Sequence, residues 1–371
     1  MLVSSGLSTK PAFATDWQFG SDLRSGIFAS ERDQRDGGSR SDLSVRARLR
    51  GSLERGVTTQ WRFRSRVAGS FDTADVDLAF RVDPYRATGT GTRPGEVHVD
   101  EFFAGWQAKD AGHRLRVGRF QTAFNLPVVP GKSLDRNDSS NVGIGWTDGL
   151  HWQSRLGDTW EGHAIAQFNH RRGTGNTARA PLSFRDDSSR VGTYLGLRST
   201  HPVGPVTLRM LSLNWIPDAL ATHGQDDPRR DDYLTLAAKA AATWPLSDRG
   251  MRLVLAGEFG RALNRPQRET LRLPGEGRTG GNAWQLSANL FDIAPGHHLG
   301  AVYGHAQAGW LTSNDYRNND ALFEVRYQRR FTPELSMELR FRQRDELERR
   351  IDADRRQRDR DVYARITWRI F

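Results

Sequence analysis

The feature that most constrains the fold is an alternation of apolar and polar residues with period two, repeated along the whole chain. Between residues 43 and 50 every odd position is Leu, Val or Ala, while the even positions are one Ser and three Arg. Residues 335–341 alternate in the same way. A β-strand sends successive side chains to opposite faces, whereas a helix would mix the two sets. Each segment is therefore predicted to be a strand with one apolar and one polar face.

About sixteen such segments, each of ~9–13 residues, follow one another, and this length suits a tilted membrane-crossing strand. Short turns such as Ser247–Gly250 alternate with long polar loops. The long loops are predicted at Ser70–Glu96, Thr122–Asn141, His170–Ser188, Pro217–Asp231, Asn264–Gly281 and Asp345–Arg358. Outer-membrane barrels have short periplasmic turns and long extracellular loops. The sequence thus predicts an all-β protein, a closed antiparallel transmembrane β-barrel of about sixteen strands in a single domain.

The composition agrees with a barrel and excludes several other classes. Hydrophobic residues make up 37% of the 371 residues, and no apolar stretch reaches the roughly 18 residues of a membrane-spanning helix. A barrel needs apolar residues only on the lipid-facing half of each strand. The absence of cysteine excludes disulfides and thiolate sites. The net charge of +10 would suggest nucleic acid as the partner of a soluble protein, but in a barrel it predicts attraction of anions.

The N-terminus carries an export signal pattern. Ala12-Phe13-Ala14 has the small-x-small form of a signal-peptide cleavage site, and Leu2–Leu7 resembles the end of an apolar segment. Residues 1–14 are therefore predicted to be a signal-peptide remnant and residues 15–371 the barrel domain, with the bacterial outer membrane as destination. A disordered N-terminus is the alternative.

Tryptophans tend to lie at the ends of the predicted strands. Such residues form girdles at the two membrane interfaces, where the ring is apolar and the N–H stays wet. The predicted girdle residues are Trp17, Trp61, Trp106, Trp160, Trp244, Trp284, Trp310 and Trp368.

Three local patterns resemble those of Gram-negative outer-membrane porins. The chain ends in a strand followed by Phe371, which resembles the signal read by the barrel-assembly machinery, although Phe371 is off the parity of Trp368. Residues 115–120 (LRVGRF) and 146–152 (WTDGLHW) flank a loop containing Pro and Gly, like the strands around the third loop of porins. The phosphate-selective and alginate-export groups are the most similar. The resemblance implies a porin with outer-membrane lipid around it, and homotrimers are usual for porins of this size.

The strongest functional prediction is a basic stripe on the polar parity. Arginines on lipid would cost about 2–4 kcal/mol each near the bilayer midplane, so this parity is predicted to face the lumen. We call the ten residues the arginine wall: Arg46, Arg48, Arg50, Arg62, Arg64, Arg66, Arg326, Arg340, Arg342 and Arg344. Guanidinium groups bind carboxylate and phosphate in a bidentate way. Small hydrophilic anions are therefore the expected solutes, with Glu324 and Glu338 as partial counter-charges.

The loop Thr122–Asn141 is the predicted constriction, because Pro127, Pro130 and Gly131 would fold it back into the lumen. Its charged residues are Lys132, Asp135, Arg136 and Asp138. Their carboxylates are expected to face the arginine wall and create a transverse field. An ordinary external loop is the alternative.

Other motifs carry little weight. Gly275, Gly277 and Gly280 have dinucleotide-binding spacing but precede a strand, whereas that fingerprint opens a helix. His297-His298 has no carboxylate at ligand spacing, and no nucleophile–base set can be assembled. No catalytic residue, metal site or cofactor is predicted. The Arg/Asp-rich run Ile351–Asp361 is nearly neutral, which favours an ion-paired loop over a nucleic-acid site.

The leading hypothesis is thus a passive porin that prefers anions carrying phosphate or carboxylate. A closed barrel with a structural or partner-binding role and a barrel hydrolase remain as alternatives, as does a soluble all-β protein that binds nucleic acid.

Overall fold

The computed structural model describes residues 16–73, 97–138, 145–169, 180–184, 188–223 and 229–370. The predicted signal-peptide remnant and Phe371 lie outside the described residues. The described chain contains sixteen strands and one short 3-10 helix at Glu269–Leu271. The strands are β1 Trp17–Asp33, β2 Ser39–Gly56, β3 Trp61–Asp72, β4 Val97–Gln107, β5 His113–Phe120, β6 Thr147–Leu156, β7 Trp160–Phe168, β8 Val191–Ser199, β9 Val206–Leu220, β10 Asp231–Pro245, β11 Arg252–Ala262, β12 Asn282–Phe291, β13 His297–Ala306, β14 Asp320–Arg330, β15 Leu335–Glu346 and β16 Arg358–Arg369.

The sheet closes on itself. Each strand pairs antiparallel with its sequence neighbours, and β1 pairs with β16 to complete the barrel. Closure satisfies the backbone hydrogen bonds of every strand edge, which a sheet in hydrocarbon requires. The predicted fold class and strand number are confirmed. No helix in the described ranges is long and apolar enough to cross a membrane.

The two rims of the barrel differ. One rim, which we call the turn side, contains seven short turns, the start of β1 and the end of β16. The other, the loop side, holds eight connections, of which L3 (121–146), L6 (263–281), L7 (307–319) and L8 (347–357) are used below. The predicted alternation of short and long connections fails only at the first hairpin, where residues 34–38 make a short loop-side turn. L7 was not recognised as a separate long loop in the sequence.

The alternation places apolar side chains on the outer face. Leu43, Val45 and Leu49 are exposed, whereas Ser44 and Arg48 between them are buried. The same arrangement recurs around the barrel, so a continuous apolar outer face surrounds a polar interior. This is the distribution that a bilayer-spanning barrel requires.

The segment 206–215 is apolar on both parities in the sequence, and the structure explains why. Leu211 and Trp215 face outward, while Leu208 and Met210 are buried inside the barrel. The inward residues pack against Phe124 and Leu126 of L3. The inner wall is therefore apolar where a loop covers it.

One girdle prediction is wrong. Trp310 is fully buried in L7, inside the barrel, where its ring lies against Gly260 of β11. It belongs to the largest inner core, which joins L3, L7 and the wall. Of the other predicted girdle residues, Trp284 lies at the loop side and the remaining six lie at the turn side. The sequence does not distinguish a lipid-facing tryptophan from one on an infolded loop, because both lie near the end of a strand.

Candidate functional site

The described residues of L3, 121–138 and 145–146, lie inside the barrel, and the loop is attached to the inner surface of β10 to β14. The backbone N–H of Val129 donates to Asn289 Oδ1 at 3.0 Å, and that of Leu134 donates to Glu258 Oε2 at 3.0 Å. Pro130 sits directly over Gly300 of β13, where a Cβ atom would be 2.8 Å from the proline ring. The inward fold predicted from the Pro and Gly residues is confirmed for the part of L3 that the structure describes.

Lys239 of β10 is the central attachment point of L3. Its Nζ donates to Asp135 Oδ1 at 2.6 Å, to Ser133 Oγ at 2.6 Å and to the Phe124 carbonyl at 2.7 Å. It also lies 3.0 Å from Glu258 Oε1, and all three charged side chains are fully buried. An ammonium with this many acceptors is compensated, although burying it is costly. We call Lys239, Asp135 and Glu258 the L3 anchor.

The sequence reasoning missed Lys239, although a signal was present. It is the one charged residue between positions 233 and 245, and it falls on the parity opposite the outward Leu236. An inward lysine in an otherwise apolar strand indicates an acidic partner inside the barrel.

The expected transverse field from L3 is wrong in one respect. Asp135 is bound to Lys239, and Asp138 accepts hydrogen bonds from the N–H and hydroxyl of Thr122 at 2.8 and 3.0 Å. Arg136 is also buried and binds Gln167 on the wall of β7. The two carboxylates therefore point into the attachment and not at the arginine wall, because burial requires each of them to find a local partner.

Lys132 is the charged residue of L3 that reaches the arginine wall. Its Nζ lies 2.9 Å from Glu324 Oε2 of β14. Burial lowers the pKa of Lys132 to about 8, and the Glu324 carboxylate opposes that shift. L3 thus follows the inner surface from Lys239 on β10 to Glu324 on β14.

L7 supports L3 from the loop side. The Trp310 indole N–H donates to the Leu134 carbonyl at 2.9 Å, and Asp315 accepts from the N–H of Ser133 at 2.9 Å. Tyr316 donates to Gln285 at 2.9 Å. Two loops and the wall thus form one hydrogen-bonded unit within the lumen.

The arginine wall lies on the inward parity of β2, β3, β14 and β15, opposite the exposed apolar residues. Because β1 pairs with β16, its two halves are continuous, as predicted. Arg48, Arg50, Arg340 and Arg344 are buried, while the side chains of Arg46, Arg62 and Arg64 are about a third exposed.

Most of these arginines have carboxylate partners that the sequence reasoning did not identify. On the first half of the wall, Arg66 forms a bidentate pair with Asp100 at 2.9 and 3.0 Å, and Arg64 binds Glu101 at 2.6 Å and Glu54 at 2.9 Å. Other pairs there are Arg46–Asp72, Arg48–Asp22, Arg50–Asp100 and Arg62–Glu54. Asp22 and Glu54 were detectable, since they share the inward parity of their strands. Asp100 falls on the parity of the exposed Phe102 and faces inward only because the register between β3 and β4 shifts at this position.

In the second half of the wall, Arg326, Arg340 and Arg342 belong to one ion-pair network, because Arg340 also lies 4.0 Å from Glu324, whereas Arg344 lies 3.9 Å from Asp320. Glu324 binds Arg326 at 2.6 Å, and Glu338 binds Arg326 at 3.3 Å and also Arg365. Asp361 of β16 links Arg340 to Arg342, the latter at 2.6 Å. The predicted neutralising roles of Glu324 and Glu338 are confirmed. Asp361 and Arg365 share the inward parity of β16, and the register of β16 against β15 identifies their partners.

A cavity of about 320 Å³ lies at the turn-side half of the first wall section. Its lining includes six arginines and two carboxylates, namely Arg24, Arg48, Arg50, Arg64, Arg66 and Arg369 with Asp22 and Glu54. Asp100 and Glu101 lie behind these arginines and reduce the formal excess from four positive charges to two. Arg24 and Arg48 are direct cross-strand neighbours, an arrangement of like charges that favours anions nearby.

The weaker motifs take no part in this site. Gly275 and Gly277 form turns in L6 and precede β12, and His298 lies 3.8 Å from Asp292 at a turn. Within the described ranges, no three His, Asp or Glu side chains come together in a way that could hold a metal ion. The Arg/Asp-rich run forms ion pairs such as Arg272–Asp352 at 2.6 Å.

A closed barrel of sixteen antiparallel strands, apolar outside, polar inside and narrowed by an infolded loop, has the architecture of porin-type outer-membrane channels. The chain is similar in structure to Pseudomonas putida OprB, with a TM-score of 0.63 and 10% identity, over 96% of this chain and 94% of that one. Acinetobacter baumannii OccAB1 gives a TM-score of 0.57 at 12% identity, over 99% of this chain and 100% of that one. Pseudomonas aeruginosa OprD gives 0.54 at 11% identity, over 99% of each.

These likenesses confirm the predicted resemblance to porins at the level of the fold. No protein-family model and no curated protein sequence matches the chain.

Proposed function

We propose that this protein is an outer-membrane channel for the passive diffusion of small hydrophilic solutes, and that it prefers anions carrying phosphate or carboxylate groups. The proposal rests mainly on the cavity at the first half of the arginine wall, which is lined by six arginines and only two carboxylates. A wall with an excess of guanidinium groups raises the local concentration of anions and offers them paired donors. The turn side faces the periplasm and the loop side the exterior.

The attachment of L3 supports a channel more than a closed barrel. L3 and L7 are held to β7–β14, so they narrow the lumen from one side, and the cavity lies against the other side. Solutes would pass between the infolded loops and the arginine wall. The loop residues Lys132, Asp135, Arg136 and Asp138 then position the constriction, since all four are buried.

Planar-bilayer recording tests both parts of the proposal. Wild-type protein should insert with stepwise conductance, and a salt gradient should give a reversal potential on the anion side. Replacing Arg48, Arg50 and Arg64 by Gln should shift that potential toward cations, because Asp22, Glu54 and Asp100 would remain.

The matched control replaces Arg261, Arg358 and Arg360, which share the outward parity of their strands, by Gln, and should leave selectivity unchanged. Insertion without conductance would favour a closed structural barrel. Cation preference in the wild type would refute the anion preference while leaving the channel intact.

A further inference from the structure

On the outer face of the barrel, the arginines at the two rims have different partners. At the loop side, three outward arginines are paired with carboxylates, and Arg261 donates to Asn282 Oδ1 at 3.0 Å. Arg119 forms a bidentate pair with Asp148 at 2.7 and 3.1 Å, and Arg358 lies 2.5 Å from Asp345. Arg360 and Glu31 form a similar pair.

At the turn side, outward arginines lie over aromatic rings. The guanidinium carbon of Arg55 is 4.9 Å from the ring centre of Trp17, its cross-strand neighbour. The guanidinium carbon of Arg209 lies 5.2 Å from the ring centre of Trp160. Arg329 lies 4.7 Å from the ring of Phe331. Among the described strands, the outward parity of the turn-side half contains no Asp or Glu.

We propose that this turn-side girdle, formed by Arg55, Arg209 and Arg329 with their three rings, binds the phosphate of anionic phospholipid headgroups. Stacking a guanidinium on a ring fixes its plane but leaves its N–H groups directed outward from the edge. An aromatic residue at the interface places that edge at headgroup depth. The girdle supplies positive charge with no carboxylate beside it to compete for the arginines. At the loop-side rim, such carboxylates are present.

The ring partners also explain how arginine can lie so near hydrocarbon. The aliphatic stem of each side chain covers apolar surface while its charged end reaches the interface. Arg209 is further oriented by hydrogen bonds from its guanidinium to Ser199 Oγ and to the His201 carbonyl, both at 3.2 Å. A preset orientation lowers the entropy lost when a phosphate binds.

The test compares lipid binding by three proteins in detergent: the wild type, the girdle variant (Arg55→Gln, Arg209→Gln, Arg329→Gln) and the loop-side variant (Arg261→Gln, Arg358→Gln, Arg360→Gln). Each is titrated with phosphatidylglycerol or phosphatidylcholine, and bound lipid is counted by native mass spectrometry. Wild-type protein and the loop-side variant should retain phosphatidylglycerol in preference to phosphatidylcholine. The girdle variant should lose that preference, with a drop of roughly five-fold in affinity for each arginine replaced.

A second measurement uses the single variant Arg55→Gln, which is exposed and should fold normally. Brominated phosphatidylglycerol in mixed vesicles should quench interfacial tryptophan fluorescence less in this variant than in the wild type, and added salt should remove the difference. Equal phosphatidylglycerol binding by wild type and girdle variant, or an equal loss in the loop-side variant, would overturn the proposal. Conductance in phosphatidylcholine bilayers should be unchanged in the girdle variant, so failure of this proposal is separable from failure of the channel.

Discussion

The arginine wall and the wall that carries L3 face the same lumen but hold their charges in different ways. On the arginine wall, carboxylates are shared among several guanidinium groups, and many side chains keep some contact with water, as Arg64 does at 28% side-chain exposure. Around Lys239, two carboxylates converge on one ammonium with no exposure at all.

The two regions therefore differ in how well they tolerate the loss of one charged side chain. A partly hydrated network can lose one charge and rearrange, because water and neighbouring partners replace the missing contact. A fully buried cluster cannot, because the remaining charges have no water to solvate them. We therefore expect mutations near Lys239 to affect structure first, and mutations in the arginine wall to affect selectivity first.

The largest effect is expected from Lys239→Met. It leaves Asp135 and Glu258 together in a buried site, which should cost about 3–5 kcal/mol of stability. L3 should detach from β10, so thermal unfolding should shift downward and single-channel current should become larger and noisier. Lys109→Met, at an exposed turn, is the control. Wild-type melting and conductance in the Lys239 variant would show that the L3 anchor does not hold the loop.

A smaller structural effect is expected from Gly260→Ala. A Cβ atom there would be 2.4 Å from Trp310 Cη2, so the indole must move and the contact between L7 and β11 must loosen. Overpacking of this kind costs about 1–3 kcal/mol. Thermal unfolding monitored by circular dichroism would report it. Gly51→Ala, where no atom lies within 4 Å of the added Cβ, should melt like the wild type. Equal melting of both variants would contradict the tight contact.

In the arginine wall, Asp361→Asn should change selectivity more than stability. Asp361 binds Arg340 and Arg342, and its side chain retains 14% exposure. Removing its charge should cost about 1.5 kcal/mol and make the lumen more positive. The anion-to-cation permeability ratio from reversal potentials should rise. Asp248→Asn, at an exposed turn, should leave it unchanged. An unchanged ratio would mean that solutes do not pass along this wall.

The smallest effect is expected outside the barrel, at the pair between L6 and L8. Arg272 holds the pKa of Asp352 below its ordinary value through a 2.6 Å hydrogen bond. The contribution of a carboxyl with a lowered pKa is present above its unfolded pKa of about 4 and is lost at lower pH. Since the pair is exposed, Arg272→Gln should leave melting at neutral pH and conductance unchanged. A clear loss of stability at pH 7 that vanishes on acidification would show that this pair matters.

Much of the fold could be predicted because lipid imposes a repeating rule. Residues 43–50 and 335–341 each expose their apolar parity, as the alternation indicated. The same rule fixed the inward direction of the ten wall arginines and of Glu324. It gave no answer for 206–215, where the inner surface is covered by L3 and is apolar as well.

The candidate site was predictable only in part. The sequence indicated which residues face inward and that L3 folds back, but not where its charged residues would end. Asp135 was expected to face the arginine wall and binds Lys239, 104 positions away in the chain. Trp310 was assigned to the girdle and lies at the centre of the inner core. Both outcomes depend on loop packing, for which the sequence has no period.

The sequence by itself determined a closed barrel with an apolar exterior and a basic interior, because every second residue must suit hydrocarbon or water and a strand leaves no third choice. The tertiary structure alone decided how the interior is used: which acids neutralise which arginines, and where the infolded loops attach. The acid–arginine pairs depend on strand register, and the loop attachments join residues that are far apart in the chain, as Asp135 and Lys239 are. The energies of these contacts depend on how deeply they are buried, and a local pattern of residues does not indicate burial by a distant loop.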